Sequence, residues 1–344
     1  MSRAKQDRIH GHLAMTGLIN LSAALPLAAP LSLQIDVSSA CPFRCPMCPT
    51  SNPKKLIAAG RPPTVMSLNN FTKLIDDLGD FPGHVKTIML YKMGEPVANR
   101  QLGTMVRYAK DATPETRLEV TTNAALLTRD RSRELIDAGL DYIRISVEHV
   151  HDEGYRKVTG NFSNYQAILD NARALWDQRE RMGKKTPHIF AKIIDVGLTE
   201  SERETFENDW RDISDTRAIH ALFQWPNDPG TTLGTTPTTG IDGVTPIKLD
   251  RVVCASPFKG MSIDADLLVT ACCVDALGET AIGDARTESL ESIWNGHVLK
   301  QFRLMHLRGE RSHNKACASC SYVLGQHPES ELDHARERLI PLYR

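Results

Sequence analysis

The chain lacks an excess of charge of either sign: 41 Lys and Arg face 42 Asp and Glu, a formal net charge of −1 at pH 7. That balance offers no electrostatic basis for holding nucleic acid or an anionic membrane. Cysteine is scarce as well, eight in 344 residues, too few for a disulfide-stapled scaffold. No apolar run is long enough to span a bilayer. The nearest approach, Leu18 to Pro30, follows a basic start (Arg3, Lys5, Arg8) and imitates a secretory signal, but Asn20, Pro26 and Pro30 interrupt it. Residues 1–30 therefore read as an N-terminal helix and connector covering the domain that follows. What remains is 41% hydrophobic and 24% charged, ordinary for a globular protein. The length suits one large domain with an appendage, or two domains.

The few cysteines are grouped as 41/45/48, 254, 272/273 and 317/320, and such grouping reads as ligands. Cys41, Cys45 and Cys48 form a C-x3-C-x2-C loop just after a strand-like run at 31–38. Pro42, Pro46 and Pro49 disfavour helix or strand there. Three thiolates supply only three of the four ligands of a 4Fe–4S cube, leaving one iron open. Structural zinc would want a fourth Cys or His close by, and Pro49 to Pro53 offer none. Free thiolates of this kind imply a reducing cytoplasm, which also argues against export.

From Leu31 onward, strand-like and helix-like patterns alternate. The strand candidates are 31–38, 85–92, 116–122, 141–147, 188–195 and 217–224. Amphipathic helices are expected at about 67–79, 98–110, 127–138, 164–182 and 200–213, with Ser67 and Thr128 as N-caps and Gly139 as a C′ residue. Six βα units in series predict a parallel sheet with right-handed crossovers. In such folds the chemistry collects at the C-terminal strand ends, where the cysteine loop lies. Along the fourth strand, alternation puts Arg144, Ser146 and Glu148 on the face opposite Ile143, Ile145 and Val147, so the polar set is expected to line the interior.

The cysteine loop after a first strand resembles the signature of the radical S-adenosylmethionine (radical SAM) enzymes, and further motifs follow in order. Gly94-Glu95-Pro96, at the end of the second strand, is similar to the family's GEP motif. Thr122-Asn123 resembles its TNG segment, with Ala124 in place of glycine. Arg144-Ile-Ser146-Val-Glu148 resembles its I-S-x-D pattern, with Glu in place of Asp. The resemblance implies an open (β/α)6 partial TIM-type barrel in which S-adenosyl-L-methionine chelates the open iron. The reduced cluster then releases a 5′-deoxyadenosyl radical that abstracts hydrogen from a substrate. It also implies cofactor contacts from Gly94, Glu95, Asn123, Ser146, Glu148 and Arg156, although Arg156 equally suits a solvated helix start. Substrate contacts fall on Lys92, Arg144, Lys192, Gln224 and Trp225, with Asp195 nearby; a lone Lys or Trp is more often a packing residue.

Residues 226–250 are rich in Gly, Pro and Thr and read as a linker. Beyond it, Cys254 precedes a hairpin-like pattern with strands at 257–263 and 267–273 and a turn at 264–266. Gly283-Asp284, a helix from Ser289 and Cys317-Ala-Ser-Cys320 complete the set. Cys254, Cys272, Cys317 and Cys320 can ligate one metal centre fully, and structural zinc satisfies that arithmetic too. The stretch resembles the SPASM/Twitch extension of radical SAM enzymes, and four ligands with no further cysteines fit its single-cluster Twitch form. That resemblance implies a second, auxiliary 4Fe–4S cluster. Alternation along 267–273 points Cys273 away from Cys272. It reads as a small buried side chain, or as a thiol that returns hydrogen to a substrate radical.

The domains expected are therefore residues 1–30, a barrel at 31–225, the linker at 226–250, a small hairpin-and-helix auxiliary-cluster domain at 251–325 and a helical tail at 326–344. A fully ligated auxiliary cluster implies an electron relay. That suits two-electron oxidation of a secondary alcohol on a small sugar or aminocyclitol, as in 2-deoxy-scyllo-inosamine dehydrogenase, with flavodoxin or ferredoxin as one-electron reductant. About forty residues precede Cys41, which leaves no space for a separate peptide-recognition domain there. Redox-neutral epimerisation, decarboxylation or elimination on a sugar, peptide modification and a zinc-binding interaction protein are the alternatives.

Overall fold

The computed structural model describes residues 19–222, 239–240 and 242–344. The barrel half runs α1 (Leu21–Ala24), β1 (Ser32–Ile35), α2 (Pro53–Ala58), α3 (Leu68–Asp76), β2 (Thr87–Met89), α4 (Leu102–Ala112) and β3 (Arg117–Thr122). It continues through α5 (Arg129–Asp137), β4 (Tyr142–Val147), α6 (Asp152–Thr159), α7 (Tyr165–Arg181), β5 (His188–Asp195), α8 (Glu200–Asp209) and β6 (Thr216–Ala221). All six expected strands are present and pair in parallel in sequence order. Ser67 and Thr128 cap α3 and α5 by accepting the Asn70 and Arg131 N–H groups, and Gly139 takes the expected left-handed conformation. The sequence pattern missed α2, and it offered α6 only as the helix start weighed at Arg156.

Strand alternation divides the side chains as the pattern requires. Leu33, Ile35, Ile88, Val120, Ile143, Ile145, Val147 and Ile193 face the helices in one buried core. Each such side chain contributes roughly 1.5–3 kcal/mol by burial. The opposite faces of the strands carry Gln34, Glu119, Arg144, Ser146 and Lys192 and line the barrel interior.

The C-terminal part runs α9 (Ser256–Lys259), β7 (Gly260–Ile263), β8 (Leu268–Thr270), β9 (Ala281–Asp284), α10 (Leu290–Asn295), α11 (His297–Leu307), α12 (Lys315–Ala318) and α13 (Arg336–Leu339). Its first strand does not stand apart. β7 pairs in parallel with β1 along Ser32–Ile35, so one nine-stranded sheet runs β6-β5-β4-β3-β2-β1-β7-β8-β9. The expected first hairpin strand at 257–263 begins as the helical turn α9, because Pro257 suits an early helical position. The second strand, expected at 267–273, stops at Thr270 next to a bulge.

Leu21 and Leu25 of the N-terminal connector pack with Phe258, Leu304, Leu339 and Tyr343 in a separate small core. The described part of the connector thus lies against α9, α11 and the C-terminal tail, while Ala29 belongs to the barrel core and Leu27 packs against it, with Trp294 Nε1 donating to the Leu27 carbonyl at 3.2 Å. Among the described residues, no helix is long and apolar enough to cross a membrane.

Candidate functional site

Cys41, Cys45 and Cys48 lie between β1 and α2, at the C-terminal end of the parallel strands. The end of α6 clamps their loop. The Arg44 N–H donates to the Thr159 carbonyl at 2.9 Å and to Asn161 Oδ1 at 3.1 Å, while Asn161 Nδ2 donates to the Pro42 carbonyl at 2.7 Å. Phe43 packs on Phe162 with ring centroids 4.9 Å apart. Gly160, which caps α6 at φ +76°, admits no side chain, since a Cβ would stand 2.7 Å from the Arg44 carbonyl oxygen. Within the loop, the Cys48 N–H closes a turn onto the Cys45 carbonyl at 2.8 Å.

All eight cysteines are free thiols. Burial pushes the Cys41 thiol up to about 12 and the Cys45 thiol higher still, and the neighbouring sulfurs and carboxylates add to both. Thiols in such a place persist as thiolates against a metal. Three of them, with the Thr50 hydroxyl at 3.2 Å and the Met93 carbonyl at 3.9 Å from Cys48 Sγ and Asn123 Nδ2 at 3.7 Å from Cys41 Sγ as polar neighbours, fit a cluster with one iron open to an outside ligand.

Gly94 is pressed against the chain leading into this loop. A Cβ there would meet the Ser38 carbonyl oxygen at 2.2 Å and the Ser39 carbonyl carbon at 2.5 Å. The Glu95 N–H donates to the Ala40 carbonyl at 2.9 Å. Its carboxylate turns inward, accepting from Val97 N at 2.9 Å, Thr122 Oγ1 at 2.7 Å and Asn123 N at 2.8 Å. Burial pushes this carboxyl up, and the three hydrogen bonds offset that. Glu95 therefore ties the ends of β2 and β3 together beside the cluster loop. Ala124 takes the left-handed conformation (φ 59°) that the glycine of a TNG turn would supply. The turn survives the replacement, and the methyl group settles into the core.

Ser146, Glu148 and Lys192 line the interior, with Ser146 opposite Lys192 in register. Burial raises the Glu148 carboxyl and lowers the Lys192 ammonium, and each charge partly offsets the shift of the other. Arg144 Nη1 approaches the Tyr91 hydroxyl at 3.3 Å, and its guanidinium lies over the rings of Tyr91, Tyr142 and Phe190. Deeper still, Arg117 pairs with Glu119 at 3.0 Å. Tyr91 and Glu119 belong to this interior, although sequence reasoning passed them over; their parity with Arg144 was the available signal.

Other expected site residues fall elsewhere. Arg156 is exposed on α6, outside the interior. Asp195 is spent on a local turn, accepting from the Gly197 and Leu198 N–H groups, and on an ion pair with Arg203. Gln224 and Trp225 lie outside the described residues, as does the end of the strand expected at 217–224.

Lys92 is not free to meet a substrate. Its ammonium is fully buried, 2.7 Å from Asp264 Oδ1 and 3.2 Å from Thr270 Oγ1, and Arg61 pairs with the other oxygen of Asp264. Asp264 opens the turn between β7 and β8, so the ion pair joins the GEP loop to the auxiliary hairpin. The nearby Asp36 carboxyl is pushed up to about 7, by burial first and then by the charge of Asp264. Removing one partner of a buried pair strands the other charge. Lys92→Met is therefore expected to lower stability by about 3 kcal/mol, measured by urea unfolding. A loss under about 1 kcal/mol would show that Arg61 alone satisfies Asp264.

The second thiol set gathers around Cys254. Cys272, Cys317 and Cys320 each feel its charge, and burial raises Cys317 strongly and Cys320 to about 11. Gln326 Nε2 donates to Cys254 Sγ at 3.3 Å, and His306 Nε2 lies 3.7 Å from Cys317 Sγ. Because β8 ends at Thr270, Cys272 and Cys273 sit beyond the strand, where alternation no longer holds. Their thiols hydrogen-bond to each other, and Cys273 also bonds Tyr322, so Cys273 does not point away as the strand pattern predicted.

One further group, His149, His151 and Glu202, has ligand atoms within 4.8 Å of one another. Hydrogen bonding accounts for two of its members. His151 Nδ1 accepts the Gly154 N–H at 3.0 Å, so its proton sits on Nε2 and points at Glu202 Oε1, 3.0 Å away. The Thr199 N–H and hydroxyl hold the other Glu202 oxygen in a capping box on α8 and lower that carboxyl to about 2.

Residues 35–182 match the family model of the radical SAM superfamily, and residues 254–321 match that of the SPASM iron–sulfur cluster-binding domain. The PqqA peptide cyclase of Bradyrhizobium diazoefficiens is 31% identical over 152 residues, 44% of this chain and 37% of that protein. The chain thus spans under half the length of that relative. The structure of BtrN with AdoMet and 2-DOIA matches 85% of this chain and 93% of its own at TM-score 0.53 and 17% identity. Streptococcus suis SuiB bound to S-adenosylmethionine matches 88% and 74% at TM-score 0.62 and 14% identity. These likenesses support the partial-barrel fold, and the two domains imply S-adenosylmethionine and two 4Fe–4S clusters. With one thiol set at each of the two matched segments, the chain carries a radical SAM domain and a C-terminal SPASM iron–sulfur domain.

Proposed function

We propose that this radical SAM enzyme carries out a net two-electron oxidation of a peptide, beginning with removal of a hydrogen atom at the polar mouth of the barrel. The observation that carries the oxidation is the second thiol set. Cys254, Cys272, Cys317 and Cys320 supply all four ligands of a cube, which leaves no iron for substrate and suits passage of an electron. When bound, the cofactors supply a hydrogen-abstracting radical and an electron acceptor. In this reading Gly94, Asn123, Ser146 and Glu148 position S-adenosylmethionine, with Glu95 holding their loops together. Arg144 and Lys192 meet the substrate, and Lys92 aligns the two halves of the site.

The peptide is supported by the PqqA peptide cyclase relative and by SuiB, whose structure with the precursor peptide SuiA is also similar. This replaces the sugar or aminocyclitol expected from the sequence as the leading substrate class. A small hydroxylated substrate is the second reading, favoured by the buried charges of Arg144, Glu119, Glu148 and Lys192 and by the similarity to BtrN with 2-DOIA. Anaerobically reconstituted protein, S-adenosylmethionine and either peptides or aminocyclitols, followed by mass analysis, separates the two. Loss of two hydrogens from a peptide, with one 5′-deoxyadenosine per product, is the expected result, and turnover of cyclitols alone would install the second reading. A product of unchanged mass in ordinary water that gains one solvent deuterium at an inverted carbon in heavy water, a gain lost in Cys273→Ala, would overturn oxidation altogether.

A further inference from the structure

We infer that His306 and Gln326 set the reduction potential of the auxiliary centre, each by aiming an N–H group at one of its sulfurs. The inference rests on the reading above that Cys254, Cys272, Cys317 and Cys320 hold an iron–sulfur cube. Neither side chain belongs to a cysteine motif. Both are buried, His306 on α11 and Gln326 just beyond the Tyr322–Gly325 turn. The orientation of the Gln326 amide is fixed by its partners. Oε1 accepts the Ala255 N–H at 2.9 Å, so both amide hydrogens lie on Nε2. Nε2 faces Ser256 Oγ at 3.2 Å and Cys254 Sγ at 3.3 Å, one hydrogen for each. His306 Nε2 stands 3.7 Å from Cys317 Sγ. Its Nδ1 is buried with no hydrogen-bond partner among the described residues. An N–H buried without a partner is costly, and an anionic sulfur takes a donor rather than a lone pair. The His306 proton therefore sits on Nε2, towards the sulfur.

Backbone serves the other two sulfurs. The Val274 N–H donates to Cys272 Sγ at 3.5 Å, and the Tyr322 and Val323 N–H groups bond Cys320. Arg311 donates to the Cys317 and Cys320 carbonyls, which brings a positive charge to the same side. The loop set is surrounded differently, since Glu95 and Glu148 bring negative charge towards Cys41, and Glu148 towards Cys45. Reduction places further negative charge on the sulfurs of a cluster. A hydrogen bond to a sulfur favours that state and so raises the potential. The backbone donors come with the fold of the loop, whereas His306 and Gln326 are choices of side chain. A centre that takes an electron from a substrate radical has to be readily reduced, and these two donors serve that need. Packing is the competing role, and it predicts an unchanged potential once the irons are in place.

The reconstituted holoenzyme is titrated with titanium(III) citrate, and both centres are followed by electron paramagnetic resonance. Each titanium(III) gives up one electron and a centre gains it, with no bond or proton exchanged. S-Adenosylmethionine alters only the signal of the centre with an open iron, which tells the two apart. His306→Phe and Gln326→Leu are each expected to keep about eight irons. Each should disfavour reduction of the auxiliary centre about tenfold, a fall of about 59 mV for one electron. His306→Gln, which keeps a donor near the place of Nε2, should retain the wild-type potential. The loop-held centre should not move in any variant. An unchanged auxiliary potential in a variant that keeps its irons, or an equal fall in both centres, overturns the inference. So does loss of about four irons from both His306→Phe and Gln326→Leu, since the two residues would then build the site and not tune it. Zinc at the Cys254 set in the wild type would remove the reading beneath the inference, and the inference with it.

Discussion

Cys41→Ala abolishes cleavage of S-adenosylmethionine, whereas Cys317→Ala leaves cleavage in place and removes the oxidised product. This contrast is the largest effect expected for the protein. Cys41 belongs to the three-thiol loop, whose donor set leaves one iron for an outside ligand. Without that thiolate the open-iron site does not assemble. Cys317 belongs to the set gathered around Cys254, which in the proposed reading takes every position of the second cluster, so its loss would remove an electron acceptor and not the radical. Intact protein should hold about eight irons per chain, and each variant about four. Measuring 5′-deoxyadenosine and product side by side decides the matter. Normal product from Cys317→Ala would end the relay, and zinc in place of iron in the intact loop would end the radical chemistry.

Gly94→Ala is expected to lower stability by about 3 kcal/mol and to strip the first cluster while leaving the second. A methyl group at position 94 would stand 2.2 Å from the Ser38 carbonyl oxygen. The neighbouring atoms are backbone, so no side chain can swing aside. The collision would push the GEP loop away from Ser38–Ala40, breaking the bond from the Glu95 N–H to the Ala40 carbonyl. That segment leads straight into Cys41. The auxiliary thiols hang on β8 and α12 and are spared. Thermal unfolding together with iron content of about four per chain checks the prediction, and a variant with wild-type melting and full iron would refute the packing argument.

Several features were plain in the sequence because they depend on spacing over a few residues. Ser67 and Thr128 cap where expected, and β5 spans His188–Asp195 as the pattern required. Ile143, Ile145 and Val147 turn outward while Arg144, Ser146 and Glu148 turn in, since alternation is a local property of extended chain. Alternation misled at Cys273, where a bulge and an early strand end removed the periodicity it relied on. It was also silent on Lys92, whose destination is an Asp 172 residues away.

The amino-acid order by itself determined the grouping of the cysteines, the order of the six barrel strands and the polarity of the barrel wall. Each follows from side-chain chemistry or from the period of a single element. Only the tertiary structure decided that β7 would join β1, that Lys92 would serve Asp264 and not a substrate, that Glu95 would spend its carboxylate on β3, and that Arg156 would face outward. Those outcomes depend on which distant groups compete for the same buried hydrogen bond or charge, a comparison made only when the whole sheet has closed.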